Sequence, residues 1–388
     1  MAMCGESHAT MWRIWKLVGT VVLSAQVLHT VYLAAAPAKW VSGFYVGYMA
    51  EAYPPAQIDF SSLTHVLVFS VLPKPEGTLD TSLFIDPING PKVAREVARR
   101  AHQAGKKAIL TIGGTGTGKA FSSAMKPSTR DAFVGNILQI VSDWGFDGVD
   151  IDWEPMPRED YAAVMALISG IRARKAGMPV TIDVGWQNLN FRLEPPEQRF
   201  YRDVSNIVDQ MNMMTYGMAD NWDGWVAWHS SAVRGEGPDH PTSVQSSVAQ
   251  YRAAGVPVSK LGIGIGFFGS CWSAPANGAL QPPRQSRVVA GDNDMSFANI
   301  KNDYYRAINY HHDAATGASY LSFSIPVGPK KCTFISYEDE ASVAAKGRYA
   351  DESGVGGAMI WQLNEGYNRH ASEPHSVLRA VARAFHVQ

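Results

Sequence analysis

The sequence is poor in cysteine and in charge, and it contains no block of like charges. Three cysteines in 388 residues are too few for a disulfide-based scaffold, and no C-x-x-C pair suggests a zinc or thioredoxin-type site. Charged residues make up only 18% of the chain, and 34 Lys+Arg nearly balance 35 Asp+Glu, so the basic face of a nucleic-acid-binding protein is missing. No internal repeat of roughly 20–50 residues indicates a repeat architecture.

The chain does have abundant apolar and aromatic residues. Hydrophobic residues make up 46% of it, which is enough for a large buried core. Most of the 11 Trp, 15 Tyr and 15 Phe are expected in the core, and any surplus rings on loops would suit flat ligands such as sugars.

The N-terminus has the three parts of an export signal. Arg13 and Lys16 precede a mostly apolar run, Leu17 to Ala36, which ends in small residues. We expect cleavage after Ala38, so that the first 38 residues are removed and the protein is secreted. Met11 is an alternative start, and an uncleaved membrane anchor is the alternative to cleavage.

Export would remove Cys4 and leave Cys271 and Cys332. An oxidising compartment favours their pairing, so we predict a disulfide between them. Two separate buried thiols are the alternative.

Runs with β-strand and helical patterns alternate along the remaining chain. The predicted strands span residues 41–48, 63–72, 107–112, 146–153, 179–185, 207–215, 261–267 and 357–363. The predicted helices span residues 91–104, 129–144, 161–175, 244–254, 338–353 and 377–385. Eight β-α units predict an α/β fold of the (β/α)8 TIM-barrel type, with an open doubly wound sheet as the alternative. Residues 39–388 then form one barrel, and 269–336 form an insertion between strands seven and eight that contains a helix over 297–310.

Three acidic residues share one face of the predicted strand 146–153. Asp150, Asp152 and Glu154 are spaced by two, and alternate residues of a strand point the same way. Pro155 ends the strand, which places Glu154 at the rim where barrel enzymes carry their active sites. Like charges this close raise at least one pKa, as a general acid for a glycosidic oxygen requires. A cation site is the alternative.

A second motif suggests a different class of protein, one that binds phosphate groups. Residues 113–120 (GGTGTGKA) nearly match a phosphate-binding P-loop after a strand, but Ala120 replaces the hydroxyl residue that binds Mg²⁺. We therefore do not predict a nucleotide-binding protein.

The stretch 147–154 (DGVDIDWE) resembles the DGxDxDWE signature of family 18 glycoside hydrolases, the chitinases. Four further stretches resemble family motifs in the right order: TIGG at 111–114, MTY at 214–216, FISYED at 334–339, and GGAMIW ending at Trp361. The resemblance covers residues 41–370 and implies a TIM barrel that hydrolyses β-1,4-linked N-acetylglucosamine polymers such as chitin. It implies no cofactor and no metal.

The resemblance also implies a mechanism that retains configuration without a protein nucleophile. Glu154 would protonate the leaving oxygen, and the acetamido oxygen of the substrate would attack the anomeric carbon. Asp152 would orient the acetamide, Asp150 would share a proton with Asp152, and Tyr216 would donate its hydroxyl to the acetamide oxygen. Trp361 would form the floor of the sugar subsite.

One position departs from the family pattern. The family usually has Asp after the Tyr of its M-T-Y motif, whereas Gly217 follows Tyr216 here. Because that Asp hydrogen-bonds the sugar, substrate affinity or pH optimum is expected to differ. Asp220 and Asp223 on the next loop are candidate substitutes.

Further residues are predicted to contact substrate at the rim or inside the barrel. At the rim we predict Trp186 and Gln187 after strand five, and Trp225 on a loop with three Trp within seven residues. Tyr45 and Phe69 face either the barrel interior or a covering helix, and we predict the interior. Met214 of the MTY stretch is a further candidate for substrate contact. Trp225 is equally compatible with simply fixing its loop.

Two other functions remain open within the resemblance. An endo-β-N-acetylglucosaminidase acting on N-glycans shares the catalytic strand, but it tends to lack a large insertion between strands seven and eight. A non-catalytic sugar-binding relative typically loses the acid at Glu154, which is present here. We expect a monomer whose partners are N-acetylglucosamine oligosaccharides and not nucleic acids.

Overall fold

We describe the protein from a computed structural model, which describes residues 38–222, 224–281 and 286–387. The predicted export signal therefore lies outside the described residues, apart from Ala38. None of the helices within these three ranges is both long and apolar enough to cross a bilayer.

Eight parallel strands form a closed barrel. In chain order they are β1 (Trp40–Val46), β2 (His65–Pro73), β4 (Lys107–Gly114), β5 (Gly148–Trp153), β6 (Val180–Gly185), β7 (Gln210–Met214), β8 (Leu261–Gly266) and β14 (Gly357–Trp361). Each strand pairs with the next one, and β1 pairs with both β2 and β14, which closes the ring. A short strand, β3 (Leu79–Asp80), pairs antiparallel with the end of β2. The predicted TIM barrel is confirmed.

Helices cover the outside of the barrel. They are α1 (Asn89–Gln103), α2 (Gly118–Ala124), α3 (Arg130–Trp144), α4 (Tyr161–Arg174), α5 (Pro195–Ser205), α6 (Val244–Ala253), α8 (Glu340–Ser353), α9 (Leu363–Gly366) and α10 (Ser376–Ala384). In α3, Phe133, Ile137 and Val141 are spaced by four and are all buried against the barrel. Gly145 ends that helix at φ +73°, a left-handed conformation that glycine adopts without steric cost.

The insertion between β8 and β14 is built mainly from antiparallel strands. These are β9 (Gly269–Trp272), β10 (Val288–Ala290), β11 (Tyr310–Asp313), β12 (Ala318–Val327) and β13 (Cys332–Tyr337), arranged in the order β10-β9-β13-β12-β11. The helix predicted over 297–310 is mostly wrong: α7 covers only Phe297–Asn299, followed by one π-helical turn at Ile300–Tyr304.

A disulfide joins Cys271 on β9 to Cys332 on β13, with the two Cα atoms 5.3 Å apart. The predicted pairing is confirmed. Because β9 and β13 are neighbours in the sheet, the bridge links the first and last strands of the insertion.

Strand alternation separates two apolar layers. Inside the barrel, one cluster contains Phe44, Leu67, Phe69 and Met359, whereas alternate residues of the same strands pack outward against the helices. This inner cluster fills the barrel interior on the side of β1, β2 and β14, and two of its members, Phe44 and Phe69, also line the cavity described below.

Candidate active site

Asp150 and Asp152 of β5 lie on its inward face, as predicted, and Glu154 follows directly after the strand on the same side. Their neighbours Val149, Ile151 and Trp153 are buried in the outer layer. Asp152 and Glu154 line a cavity at the C-terminal end of the barrel, and Asp150 lies buried beneath them. The alternation of β5 thus brings two carboxyl groups to the cavity and keeps a third below.

Asp150 is held by hydroxyl groups of the two neighbouring strands. Its carboxyl oxygens accept hydrogen bonds from Thr111 Oγ1 at 3.2 Å and from Thr181 Oγ1 at 2.5 Å. The register pairs both threonines directly with Asp150. Complete burial raises the pKa of Asp150 to about 6, although these hydrogen bonds act in the opposite direction.

Asp152 is strongly biased toward its protonated form. Burial raises its pKa well above the ordinary value, and the nearby charges of Glu154 and Asp150 add to the effect. Its Oδ1 atom is buried and finds no hydrogen-bond partner within the described part of the chain. A buried carboxyl in this state can hold a proton and turn toward a ligand in the cavity.

Asp183 on β6 is a member of this cluster that the sequence analysis missed. It lines the cavity, and neither carboxyl oxygen has a hydrogen-bond partner among residues 38–222, 224–281 and 286–387. Burial, together with the charges of Asp150 and Asp152, raises the pKa of Asp183. The sequence does contain a signal for Asp183: along β6 the inward residues Thr181 and Asp183 are polar, and the outward residues that alternate with them are apolar.

Glu154 stands at the cavity mouth and is more exposed than the other acids. Its Oε1 accepts a hydrogen bond from Thr115 Oγ1 at 3.1 Å. Its backbone carbonyl accepts a hydrogen bond from the Gly118 N–H at 2.8 Å, at the start of α2. The loop from 113 to 118, which resembles a P-loop in sequence, therefore positions Glu154.

Two glycines of that loop are required by close packing. A side chain at Gly113 would place its Cβ 2.1 Å from the Asp152 carbonyl oxygen, and one at Gly114 would lie 2.7 Å from the Phe69 ring. Both also have positive φ, at +111° and +124°. These glycines thus serve the packing of the acid cluster.

The cavity has a volume of about 450 Å³. Its walls combine aromatic and apolar side chains with acidic ones. The lining residues are Phe44, Tyr48, Phe69, Leu72, Phe84, Gly113, Gly114, Thr115, Thr117, Asp152, Glu154, Asp183, Met214, Tyr216, Phe268, Asp292 and Trp361. Such a combination of ring faces and a few converging polar groups is typical of a small-ligand site.

Four predicted residues lie where the sequence analysis expected them. Phe69, Met214, Tyr216 and Trp361 all line the cavity. The Trp361 ring packs edge-on against Phe69, with ring centroids 4.9 Å apart. Burial and the charges of nearby acids, led by Asp183, raise the pKa of Tyr216, which keeps its hydroxyl protonated as a donor.

Tyr45 is a wrong prediction. It packs in the outer layer, where its hydroxyl donates a hydrogen bond to the Tyr53 carbonyl oxygen at 2.8 Å. Alternation along β1 gives the inward position to Phe44, which lines the cavity. The aromatic pair Phe44-Tyr45 left the inward residue undecided until the register was known.

The predicted rim residues lie outside the cavity lining. Gln187 Nε2 donates a hydrogen bond to Tyr251 Oη on α6 at 3.0 Å, and Gln187 does not line the cavity. Trp186 and Trp225 both contact Trp222, with ring centroids 5.7 Å and 4.7 Å apart. These three rings form a cluster of their own, and neither Trp186 nor Trp225 lines the cavity.

The position after Tyr216 contributes no side chain. Gly217 has φ +60°, and a Cβ there would meet nothing within 4 Å. Asp220 does not substitute, because its Oδ1 accepts hydrogen bonds from the backbone N–H groups of Asn221 and Val288 at 2.7 Å and 3.3 Å. Asp223, the other candidate, lies outside the described residues.

Comparisons with known proteins agree with this geometry. The model of the family "Glycosyl hydrolases family 18" matches residues 44–366. Endochitinase 1 of Metarhizium robertsii is 26% identical over 349 residues, which are 82% of this chain and 79% of that protein. Chitinase A1 of Niallia circulans is 28% identical over 68% of this chain but only 41% of its own length.

Solved structures share the fold. A chitinase from Cycas revoluta in complex with (GlcNAc)3 matches with a TM-score of 0.71 at 23% identity, covering 89% of this chain and 99% of that chain. The Group IV chitinase of Ostrinia furnacalis in complex with allosamidin matches with a TM-score of 0.72 at 19% identity, covering 90% and 99%. From the match over 44–366, the acid-bearing β5 and the closed barrel, the chain belongs to glycosyl hydrolase family 18.

Proposed function

We propose that this enzyme is a chitinase that hydrolyses β-1,4 bonds between N-acetylglucosamine units with retention of configuration, using the acetamido group of the substrate as nucleophile. The observation that carries the proposal is the acid arrangement of the cavity. Asp152 sits between Asp150 below and Glu154 above, and its pKa is raised. A protonated Asp152 is a poor nucleophile, whereas it can hold an acetamide.

Glu154 acts as the general acid in this proposal. It is the most exposed acid of the three on β5 and stands at the cavity mouth. Protonation of the leaving oxygen by Glu154 frees the same carboxylate to activate water in the second step. Thr115 donates a hydrogen bond to Glu154 and fixes its side chain.

Asp152, Asp183 and Tyr216 surround the acetamide in the proposed complex, since all three line the cavity. Asp152 orients the acetamide N–H, and the Tyr216 hydroxyl donates to its oxygen, so that the oxygen attacks the anomeric carbon. Asp150 accepts a proton from Asp152 as positive charge develops on the acetamide nitrogen. Trp361 lies under the sugar ring.

The variant Glu154→Gln tests the assignment. Glutamine keeps an oxygen that can accept the Thr115 hydrogen bond, so folding and oligosaccharide binding should persist. Turnover of chitotetraose should fall about 10²–10⁴-fold, the usual contribution of a general acid. Glu159→Gln, an exposed acid five residues further on, is the matched control and should keep full activity. Near-normal turnover in Glu154→Gln would refute the role.

Product analysis separates this function from its nearest alternative. Chitin oligomers and a high-mannose glycoprotein are incubated with the enzyme side by side. We expect cleavage of the oligomers only, with no hydrolysis of cellotetraose, which lacks the acetamido group. Release of N-glycans would instead establish an endo-β-N-acetylglucosaminidase.

We also propose that the protein is exported. The signal-like N-terminus supports this, and so does the Cys271–Cys332 disulfide, because such bonds persist mainly in oxidising compartments. Sequencing the N-terminus of protein recovered from the medium should give Lys39 as the first residue. Retention of the whole chain in the membrane fraction would contradict cleavage.

A further inference from the structure

The insertion contributes an acidic residue to the cavity. Asp292 follows β10 and begins the 3-10 turn Asp292–Met295. It lines the cavity, on a segment far in sequence from the acids of β5 and β6. Its φ of +40° lies in the left-handed region, which few residues other than glycine adopt and which often marks a functional position.

The carboxyl group of Asp292 is held on both sides. Oδ1 accepts a hydrogen bond from the indole Nε1–H of Trp361 at 2.8 Å. Oδ2 accepts one from Nδ2 of Asn293 at 2.8 Å. The first bond joins the insertion to the last residue of β14, across the boundary between the inserted sheet and the barrel.

This hydrogen bond limits the freedom of the Trp361 ring. The other described aromatic neighbours of Trp361, Phe44 and Phe69, contact it edge-on at centroid distances of 5.3 Å and 4.9 Å. Edge-on apolar contacts tolerate sliding and tilting of the indole, whereas a hydrogen bond to a carboxylate is directional and comparatively strong. The hydrogen bond to Asp292 therefore fixes the orientation of the Trp361 ring, whereas the contacts with Phe44 and Phe69 leave that orientation free to change.

A second buried acid stands near Asp292. Glu365 on α9 is buried, and neither of its carboxyl oxygens has a partner in the ranges that the structure describes. Burial and the charge of Asp292 raise the pKa of Glu365 to about 10. Glu365 is thus uncharged near neutral pH, and Asp292 has no second charged carboxylate from this residue beside it.

We propose that Asp292 is a positioning residue of this enzyme: it holds the indole of Trp361 in the orientation that receives the sugar ring. The inserted sheet then contributes a residue that positions the active site. This inference rests on the proposed function, because that proposal gives Trp361 its contact with the sugar.

Asp292→Gly is the main test. Glycine suits the φ of +40°, so this variant removes the carboxyl group without adding backbone strain. We expect kcat/KM for chitotetraose to fall about 10–100-fold, the effect of losing a hydrogen bond to a charged group. Asp292→Asn keeps an oxygen acceptor and tolerates the same φ, so it should recover most of the loss. Asp294→Asn, an exposed residue of the same turn paired with Lys330, should stay within about 2-fold of the wild type.

A double-mutant cycle with Trp361→Phe shows whether Asp292 acts through the indole. Phenylalanine lacks the N–H, so removing the carboxyl group in this background should change kcat/KM, or the Kd for chitotetraose where turnover is too slow, by less than about 3-fold. An undiminished effect in the Trp361→Phe background, or full activity of Asp292→Gly alone, would overturn the inference. Failure of the wild-type enzyme to cleave chitotetraose would instead refute the proposed function.

Discussion

A buried ion pair behind the active site allows a stringent test of the fold. Lys346 on α8 is fully buried, and its Nζ donates to Glu338 Oε1 at 2.6 Å and to the Ser231 carbonyl oxygen at 2.8 Å. The other carboxyl oxygen of Glu338 accepts a hydrogen bond from Ser342 at 2.6 Å. Ser231 in turn donates its hydroxyl to the Thr215 carbonyl, next to Tyr216. The pair therefore supports the end of β7, which leads into Tyr216.

Lys346→Met should destabilise the protein by about 3–5 kcal/mol, because it leaves the buried Glu338 without its counter-charge. The unfolding entropy of roughly 350 described residues is about 0.7 kcal/mol/K, so the melting temperature should fall by about 4–7 °C. The combined variant Lys346→Met/Glu338→Leu removes both charges. It should be less destabilised than Lys346→Met alone, since an apolar replacement leaves no unpaired ion.

Urea unfolding followed by circular dichroism measures these differences. Arg99→Met is the matched control: it breaks an exposed pair with Glu96, 2.7 Å apart on α1, and should cost less than about 1 kcal/mol. The reasoning is refuted if Lys346→Met costs no more than Arg99→Met, or if the double variant loses at least as much stability as Lys346→Met alone.

Three further predictions follow from the described contacts. Replacing Cys271 and Cys332 by serine should lower the free energy of unfolding by about 4 kcal/mol, the value that the chain-entropy model gives for a sequence separation of 61. The shift of the denaturant midpoint measures this loss. Because burial raises the pKa of Asp150 to about 6, the stability that its protonated form contributes is present below about pH 4 and is lost as the pH rises through 6. Asp150→Asn should therefore flatten the pH dependence of the unfolding free energy across this window. An unchanged slope in this variant would contradict the prediction. Tyr45→Phe should lower stability by about 1 kcal/mol and leave KM unchanged. Phe69→Ala, by contrast, should raise the KM for chitotetraose. Equal effects of Tyr45→Phe and Phe69→Ala on this KM would contradict the placement of the two residues on opposite faces of the barrel wall.

Much of the barrel could be predicted because its signals are local. Strands and helices alternate with clear periodicity, and the acid spacing of two on β5 fixes which side chains share a face. The same rule would have identified Asp183, whose strand has the same alternation of polar and apolar positions. Asp183 is the single acid of its strand, so its sequence signal is weaker than that of the three acids at 150, 152 and 154.

The remaining features depend on contacts between distant segments. Alternation alone does not say whether Phe44 or Tyr45 faces inward, since that depends on how β1 pairs with its neighbours. The inserted sheet combines short strands whose partners are up to 68 residues away, so no local pattern predicted it. Asp292 reaches the cavity only because this sheet folds back over the barrel, and its sequence context is an ordinary polar turn.

The closure of the barrel by β14 has a consequence for synthesis of the chain. Both strands that flank β14, β1 and β8, are complete long before the ribosome reaches Gly357, and each has an unpaired edge until then. Open strand edges are sites of aggregation, so this interval is the vulnerable stage of folding. The inserted sheet, by contrast, has all of its strands once Tyr337 has emerged, and its cysteines can pair before the ring closes. A chain that stops between these two points would carry an oxidised insertion on an open barrel.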